Sequence, residues 1–376
     1  MRKNNTLTSF FHLLRAGLWE KRVRVFPLGS VDWQALYRLA EEQSVTGVLA
    51  AGLEQVDEKT LGLSVPKAEV RPFLMRVLAM EDTNARMNRF IGELFEKLRE
   101  AGISAVLVKG QGIAQCYARP LWRACGDVDL LLDAENYEKA KACLGGIASK
   151  VEQENPSMKH LAMFIDSWEV ELHGTLRGGV SNRMDAMIDA VQEETCTKGR
   201  VRHWNNRGVE IPLPAADNDI IFIFTHFLKH FFKGGIGLRQ ICDWCRLLWT
   251  YRDSIDSALL ERRLREMRLL SEWKAFAAFA ARDLGMPVEA LPLYDPSAHW
   301  TRKAARIRTF ILRVGNFGHN RDMSYYSKYP FLVRKTISLG RRLADFATHV
   351  CIFPLDSLRY LPRVLINGFR AAINGV

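Results

Sequence analysis

The chain has 376 residues, of which 48% are hydrophobic and 25% charged, as is typical of a folded globular protein of two or three domains. This composition excludes a largely disordered chain. The net charge of +11 is concentrated at the end, where residues 300–376 hold 14 lysines and arginines against three acidic residues. We expect this basic segment either to bind an anionic partner, such as nucleic acid, anionic lipid or an acidic protein, or to be a solvated helix face.

The seven cysteines are scattered and odd in number, which argues against a disulfide framework and for a reducing compartment. Cys242 and Cys245 form a CxxC pair inside a helical pattern, and we interpret them as helix packing because no second pair completes a zinc site. Residues 1–22 fit an amphipathic helix better than a signal peptide. The apolar run 220–232 is too short to span a bilayer. These features predict a cytoplasmic protein without a transmembrane segment.

Helical periodicity dominates the first hundred residues. Residues 33–54 are expected to form two helices, and apolar positions recur at helical spacing over 70–101 until Gly102, a natural helix end. We therefore predict an N-terminal helical segment over residues 1–101.

The apolar pattern changes over residues 102–215 to one typical of short strands. Strands are predicted over 103–109, 127–132, 160–166 and 168–174, helices over 110–118 and 134–146, and a hairpin over 200–214. From 216 to 376 the pattern is again helical and ends in the basic segment. The fold class is therefore α+β, with a small sheet core between an N-terminal helical segment and a C-terminal helical domain.

Asp127 and Asp129 lie one residue apart inside the apolar strand 127–132. Side chains at i and i+2 of a strand point to the same side, so the two carboxylates repel each other, and burial increases the cost. Either a cation lies between them, for which Mg²⁺ is the natural candidate, or they are two solvated residues at an exposed strand end.

A third acid is available on the later strand 168–174. Glu169 and Glu171 share one face of that strand, and adjacent strands lie about 4.8 Å apart, so either residue could complete a triad with the two aspartates. We prefer Glu171, because it is followed by Leu172 and His173.

A lysine–glycine turn follows the first strand. Gly110 and Gly112 allow backbone N–H groups to approach a phosphate, and Lys109 can supply a positive charge. Together with Arg123 and three carboxylates, the turn predicts a two-metal phosphoryl-transfer site.

This order of elements resembles the DNA polymerase β-like nucleotidyltransferase superfamily, and more closely a group of bacterial nucleotidyltransferase-family proteins of unassigned function. The resemblance covers roughly residues 30–250. The matching motifs are Lys109-Gly110, Tyr117, Arg123, Gly126-Asp127-Val128-Asp129-Leu130-Leu131, Glu171-Leu172-His173 and the GLRQICD segment at 237–243.

The resemblance implies a small mixed-sheet nucleotidyltransferase core that moves a nucleoside monophosphate from an NTP to an unidentified hydroxyl or phosphate acceptor, on a small molecule or a protein. It implies two Mg²⁺ ions on Asp127, Asp129 and Glu171, which are also the catalytic residues. The implied nucleotide-binding residues are Lys109, Gly110, Gly112 and Arg123. His173, Arg239 and Asp243 are expected to line the substrate cleft, although the last two could instead form a surface pair.

One departure from the superfamily leaves other functions open. The first turn lacks the usual Gly-Ser, so the chain could be a non-catalytic nucleotide-binding protein. The basic segment suggests a third alternative, a nucleic-acid-modifying polymerase. His226 and His230 have the i, i+4 spacing that can bind zinc, but their Phe-rich surroundings favour helix packing.

Overall fold

A mixed five-stranded sheet lies between helices that precede and follow it along the chain. The computed structural model describes residues 2–22, 31–57, 65–156, 158–316, 330–355 and 357–359. The helices before the sheet are α1 (Arg2–Trp19), α2 (Trp33–Glu42), α3 (Thr46–Leu53) and α4 (Lys67–Glu100). A helix of α4's length is stable here because its C-terminal half is amphipathic and buries Met87, Ile91, Leu94 and Leu98 against the sheet.

The end of α4 follows from its sequence. Gly102 takes a positive φ of 66°, which costs glycine little, and Ile103 N–H donates to the Leu98 carbonyl at 2.8 Å. This stop directs the chain into the first strand, in agreement with the predicted helix end.

The sheet has the strand order β1-β2-β5-β4-β3, in which β2 and β5 are parallel and the other neighbours antiparallel. Its strands are β1 (Val106–Val108), β2 (Asp127–Leu131), β3 (Lys150–Val151), β4 (His160–Ile165) and β5 (Trp168–His173). The short helix α5 (Gly110–Ala114) follows β1, and α6 (Ala134–Gly145) follows β2. The sheet between helical segments confirms the predicted α+β class.

The two faces of the sheet differ in character. Val128 and Leu130 on β2 and Val170 and Leu172 on β5 are buried in one apolar cluster with α4 and α6. The alternate residues of the same strands point to the opposite face, where the acidic residues lie. One face of the sheet therefore supplies the core and the other is free to form a site.

Helices again dominate after the sheet. They are α7 (Asn182–Cys196), α8 (Ala216–Lys233), α9 (Leu238–Tyr251), α10 (Ser257–Met267), α11 (Leu270–Asp283), α12 (Ala298–Val314) and α13 (Phe331–Ile352). Between α7 and α8, β6 (Val201–Asn206) and β7 (Val209–Pro214) form the expected hairpin. Helix α7 and strand β3 were not predicted from the sequence.

Helix α1 packs mainly against α2 and α3, and its C-terminal half also reaches the end of α11. Arg15 Nε donates to the Asp283 carbonyl at 3.0 Å, and Trp19 Nε1 donates to the Leu284 carbonyl at 2.7 Å. The division at residues 101 and 215 remains a prediction.

Three other predictions concern the CxxC pair, a transmembrane segment and the basic C-terminal segment. Cys242 and Cys245 are buried free thiols within α9, in agreement with helix packing. No helix among the described residues is both long and apolar enough to cross a membrane. Much of the basic C-terminal segment, residues 317–329 and 360–376, lies outside the described residues.

Candidate functional site

A cavity of about 440 Å³ lies between the acidic face of the sheet and helices α8 and α9. The sheet side carries carboxylates from β2 and β5, and α8 and α9 add cationic and imidazole side chains. The predicted site residues on its wall are Lys109, Gly110, Arg123, Asp127, Asp129, Glu171, His173, Arg239 and Asp243. Gly112 is not among the lining residues.

Three carboxylates converge at the sheet side of the cavity. Asp129 on β2 is directly opposite Glu171 on the parallel strand β5, and Asp127 precedes Asp129 on the same face. One oxygen from each of Asp127, Asp129 and Glu171 lies within 4.8 Å of the others. Glu169 is opposite Asp127 in register but does not line the cavity, so the geometry favours Glu171 as the third acid.

Asp129 is buried and is contacted from two sides. Lys109 Nζ and His173 Nε2 each lie 2.7 Å from its Oδ1 atom. Against the effect of burial, these two groups hold the pKa of Asp129 below its ordinary value. The charge of Asp129 in turn raises the pKa of Lys109, although burial opposes it.

The other two carboxylates differ in how their charge is balanced. Glu171 Oε2 lies 3.1 Å from His160 Nε2 and 3.2 Å from His173 Nε2. Against the effect of burial, these hydrogen bonds hold the pKa of Glu171 well below its ordinary value. Burial and the negative charge of Asp129 raise the pKa of Asp127 instead. The cluster therefore has unbalanced negative charge at Asp127.

The backbone is strained where β1 turns into α5. Lys109 has φ 57° and ψ −142°, a conformation that lysine rarely adopts, and Gly110 follows with φ 39°. Such conformations persist only where surrounding contacts stabilise them. Here the Lys109 side chain donates a hydrogen bond to the Asp129 carboxylate. Gly112 serves packing, because a Cβ there would lie 2.8 Å from a methyl group of Leu213.

Arg123 is buried and paired with Asp243 of α9. Its Nε and Nη2 atoms lie 3.1 and 2.7 Å from the two carboxylate oxygens, and Tyr117 donates its hydroxyl to the same carboxylate at 2.8 Å. Arg239 donates to the Ala124 carbonyl at 2.8 Å. Arg239 and Asp243 thus lie at the boundary between the sheet and α9, not on a free surface.

Helix α8 forms the wall opposite the carboxylates, and Lys229 is the cationic side chain it contributes. His226, Lys229 and His230 line the cavity on one side of this helix. Burial and the neighbouring charges of Lys109 and Lys233 lower the pKa of Lys229 to about 8. An anion in the cavity would relieve this repulsion.

Sequence reasoning missed His160 and Lys229 as cavity residues. His160 is the cross-strand partner of His173 in the β4–β5 pair. The signal was present in the short connection after Ile165, because pairing Ile165 with Trp168 places His160 opposite His173. Lys229 had no comparable signal, since its position depends on how α8 packs over the sheet.

The fold and the site together define an α+β protein whose cavity contains a cluster of three carboxylates that could hold a metal ion. Residues 29–285 match the model of a family described as uncharacterised nucleotidyltransferase, and the chain therefore belongs to that family. The family supports nucleotidyl transfer as the general activity, with a nucleotide as substrate. No curated protein and no solved structure matches the chain.

Proposed function

We propose that this protein moves a nucleoside monophosphate from an NTP to a hydroxyl or phosphate acceptor and releases pyrophosphate, with the help of bound Mg²⁺. The observation that carries the proposal is the convergence of Asp127, Asp129 and Glu171 within 4.8 Å on the cavity wall. The arrangement supports placing the site with those of the DNA polymerase β-like superfamily.

The carboxylates fit the chemistry of Mg²⁺. Mg²⁺ prefers oxygen ligands and is usually bound through a few carboxylates together with substrate phosphates and water. Asp127, Asp129 and Glu171 would hold two ions, and Lys109 and His173 would release part of their contact with Asp129 to make room. Such ions lower the pKa of an attacking hydroxyl and stabilise negative charge on the transferred phosphoryl group.

The triphosphate would lie between the carboxylates and Lys229 on the wall formed by α8. Lys229 faces the cavity with a pKa lowered to about 8, so a phosphate beside it stabilises its charged form. Lys109 reaches the same space from the opposite side, and the Gly110 backbone borders it. Together, Lys229 and Lys109 compensate for the missing serine of the first turn.

Other residues have positioning roles in this proposal. Glu171 would help to deprotonate the acceptor hydroxyl as a ligand of the Mg²⁺ that lowers the pKa of this hydroxyl, and His160 and His173 hold the Glu171 carboxylate in place. Arg123 fixes α9 to the sheet through Asp243, so its charge reaches the phosphates only in part.

The fate of a label on the α- or γ-phosphate of the NTP tests the activity directly. Purified protein is incubated with Mg²⁺ and each of the four NTPs labelled at the α- or γ-phosphate, together with RNA, protein or small-molecule fractions as acceptors. We expect transfer of the α-label to one fraction and release of the γ-label as pyrophosphate. Transfer of the γ-label alone would show phosphoryl transfer and contradict the proposal.

The same experiment distinguishes two alternative functions. A non-catalytic nucleotide-binding protein would bind Mg-ATP without releasing pyrophosphate from any fraction. A nucleic-acid-modifying polymerase would lengthen RNA or DNA. The positive charge of the basic segment 300–376 is the feature that favours this alternative. The cytoplasmic location stays a prediction.

A further inference from the structure

We propose that His160, Glu171 and His173 form a binding site for a divalent transition-metal ion of the Zn²⁺ or Co²⁺ type, next to Asp127 and Asp129. The site shares Glu171 with the proposed Mg²⁺ centre, but it does not require nucleotidyl transfer to occur.

The backbone brings these three side chains together. Strands β4 and β5 are antiparallel, and His160 and His173 are directly opposite each other in register. Opposite residues of such a pair have Cβ atoms about 4.5–5.5 Å apart, and these two imidazole rings have centroids 5.0 Å apart. Glu171 precedes His173 by two residues and so shares its face. The cluster therefore follows from strand register rather than from flexible loops.

The donor atoms have the spacing of a coordination shell. Glu171 Oε2 lies 3.1 Å from His160 Nε2 and 3.2 Å from His173 Nε2, and all three donors lie within 4.8 Å of one another. Two ligands bound at about 2.1 Å to a tetrahedral ion lie about 3.4 Å apart, so small side-chain shifts would accommodate one. The fourth position would open to the cavity, which all three residues line.

The contacts of this cluster converge on one ring nitrogen, His173 Nε2, and one carboxylate oxygen, Glu171 Oε2. The Nε2 atom of His173 lies 2.7 Å from Asp129 and 3.2 Å from Glu171, yet a ring nitrogen carries at most one proton to share between two carboxylates. Both histidines also direct Nε2 at the same oxygen of Glu171. A cation at this point would satisfy all three donors.

The donor set of this site favours a transition-metal ion over Mg²⁺. Imidazole nitrogen suits Zn²⁺ and neighbouring first-row ions, whereas Mg²⁺ is held by carboxylate oxygen and water. The cavity would then contain two neighbouring sites of different selectivity, an oxygen site at Asp127 and Asp129 and a mixed nitrogen–oxygen site at the two histidines.

Cobalt binding to the full-length, metal-free protein tests this inference. We expect Co²⁺ to produce visible d–d absorption that saturates at one ion per chain and persists in excess Mg²⁺. His160→Gln should weaken Co²⁺ binding by at least about tenfold, because one of three protein ligands is lost. His203→Gln, a matched change of an exposed histidine on the β6–β7 hairpin, should bind Co²⁺ like the wild type.

A second readout guards against a folding defect. At a Zn²⁺ concentration near the wild-type dissociation constant, Zn²⁺ should raise the melting temperature of the wild type and of His203→Gln by a similar amount, and that of His160→Gln much less. The metal-free melting temperature of His160→Gln should stay close to that of the wild type, because the side chain is partly exposed. An absent Co²⁺ band, displacement of Co²⁺ by equimolar Mg²⁺, or wild-type Co²⁺ affinity in His160→Gln would each overturn the site.

Different results would refute the proposed function and the proposed metal site. Asp127→Asn changes a carboxylate outside the histidine cluster, so we expect it to keep the Co²⁺ band while losing Mg²⁺-dependent ATP binding. Loss of the band in this variant would mean that cobalt occupies the carboxylate site, which would contradict the inference. A wild type that binds Co²⁺ but neither binds ATP nor transfers label would support the metal site and refute the nucleotidyl-transfer proposal.

Discussion

The guanidinium of Arg123 makes two hydrogen bonds, of 3.1 and 2.7 Å, to the carboxylate of Asp243 in α9. Both side chains are almost fully buried, so the pair joins the sheet core to the C-terminal helices through charges that have little access to water. Breaking such a pair leaves one buried charge uncompensated, which costs more than the intact pair contributes.

Asp243→Ala should therefore lower the free energy of unfolding by about 3–5 kcal/mol, as measured by urea denaturation. The double variant Arg123→Met, Asp243→Leu should recover part of this loss, since no buried charge remains. Arg265→Ala breaks an exposed i, i+4 pair with Glu261 and should change the unfolding free energy by less than about 0.5 kcal/mol. Equal effects of Asp243→Ala and Arg265→Ala would contradict this account.

Strand β5 offers a matched pair of acids for testing the carboxylate site. Glu171→Gln should reduce nucleotidyl transfer by about 100-fold or more, because metal-held charge stabilisation is worth several kcal/mol. Glu169→Gln lies on the same face two residues earlier and should retain transfer within about threefold, since Glu169 does not line the cavity. Transfer of α-labelled ATP measures both variants, and a greater loss in Glu169→Gln would reverse the assignment of the third acid.

Strands β2 and β5 and the common face of their acids could be predicted because the alternation within each strand is local. The alternation in residues 127–132 places both aspartates on one face, and the parallel register then brings Glu171 beside Asp129. Helix α7 was not predicted, although Met184, Ile188 and Val191 repeat at helical spacing, because the segment lies between two strand regions.

Long-range partners could not be predicted in the same way. Arg123 and Asp243 are 120 residues apart, and only the packing of α9 on the sheet brings them together. The sequence predicted that Arg123 contacts phosphate, whereas its charged partner in the folded chain is the Asp243 carboxylate. Lys229 likewise acquires its place opposite the acids only through tertiary packing.

The two lysines of the cavity should respond differently to neutralisation. Lys229→Met should weaken Mg-ATP binding by about 1–3 kcal/mol, the scale of a charge-assisted hydrogen bond, without changing Mg²⁺ affinity in the absence of nucleotide. Lys109→Met should weaken Mg-ATP binding by a similar amount and increase Mg²⁺ affinity, because Lys109 competes for Asp129. Calorimetric titrations with Mg²⁺ alone and with Mg-ATP separate the two effects. Unchanged ATP binding in both variants would refute the proposed triphosphate position.

Two histidines of α8 make the protein sensitive to acid. Burial and the charges of Lys229 and Lys109 lower the pKa of His230 to about 3, and burial lowers that of His226 well below its ordinary value. In the unfolded chain both would titrate near 6.5. The unfolded state therefore binds more protons than the folded state below that pH, and acid favours unfolding.

His230→Gln should flatten the pH dependence of stability. In the wild type, the lowered pKa of His230 contributes a loss of about 2 kcal/mol in the free energy of unfolding as the pH falls from about 7 to about 5. Glutamine does not titrate, so the loss in the free energy of unfolding over that interval should be about 2 kcal/mol smaller in the variant than in the wild type. Urea denaturation at several pH values in EDTA measures the slope, and His203→Gln, an exposed change, should keep the wild-type slope. If His230→Gln also keeps it, His230 is not held neutral in the folded protein.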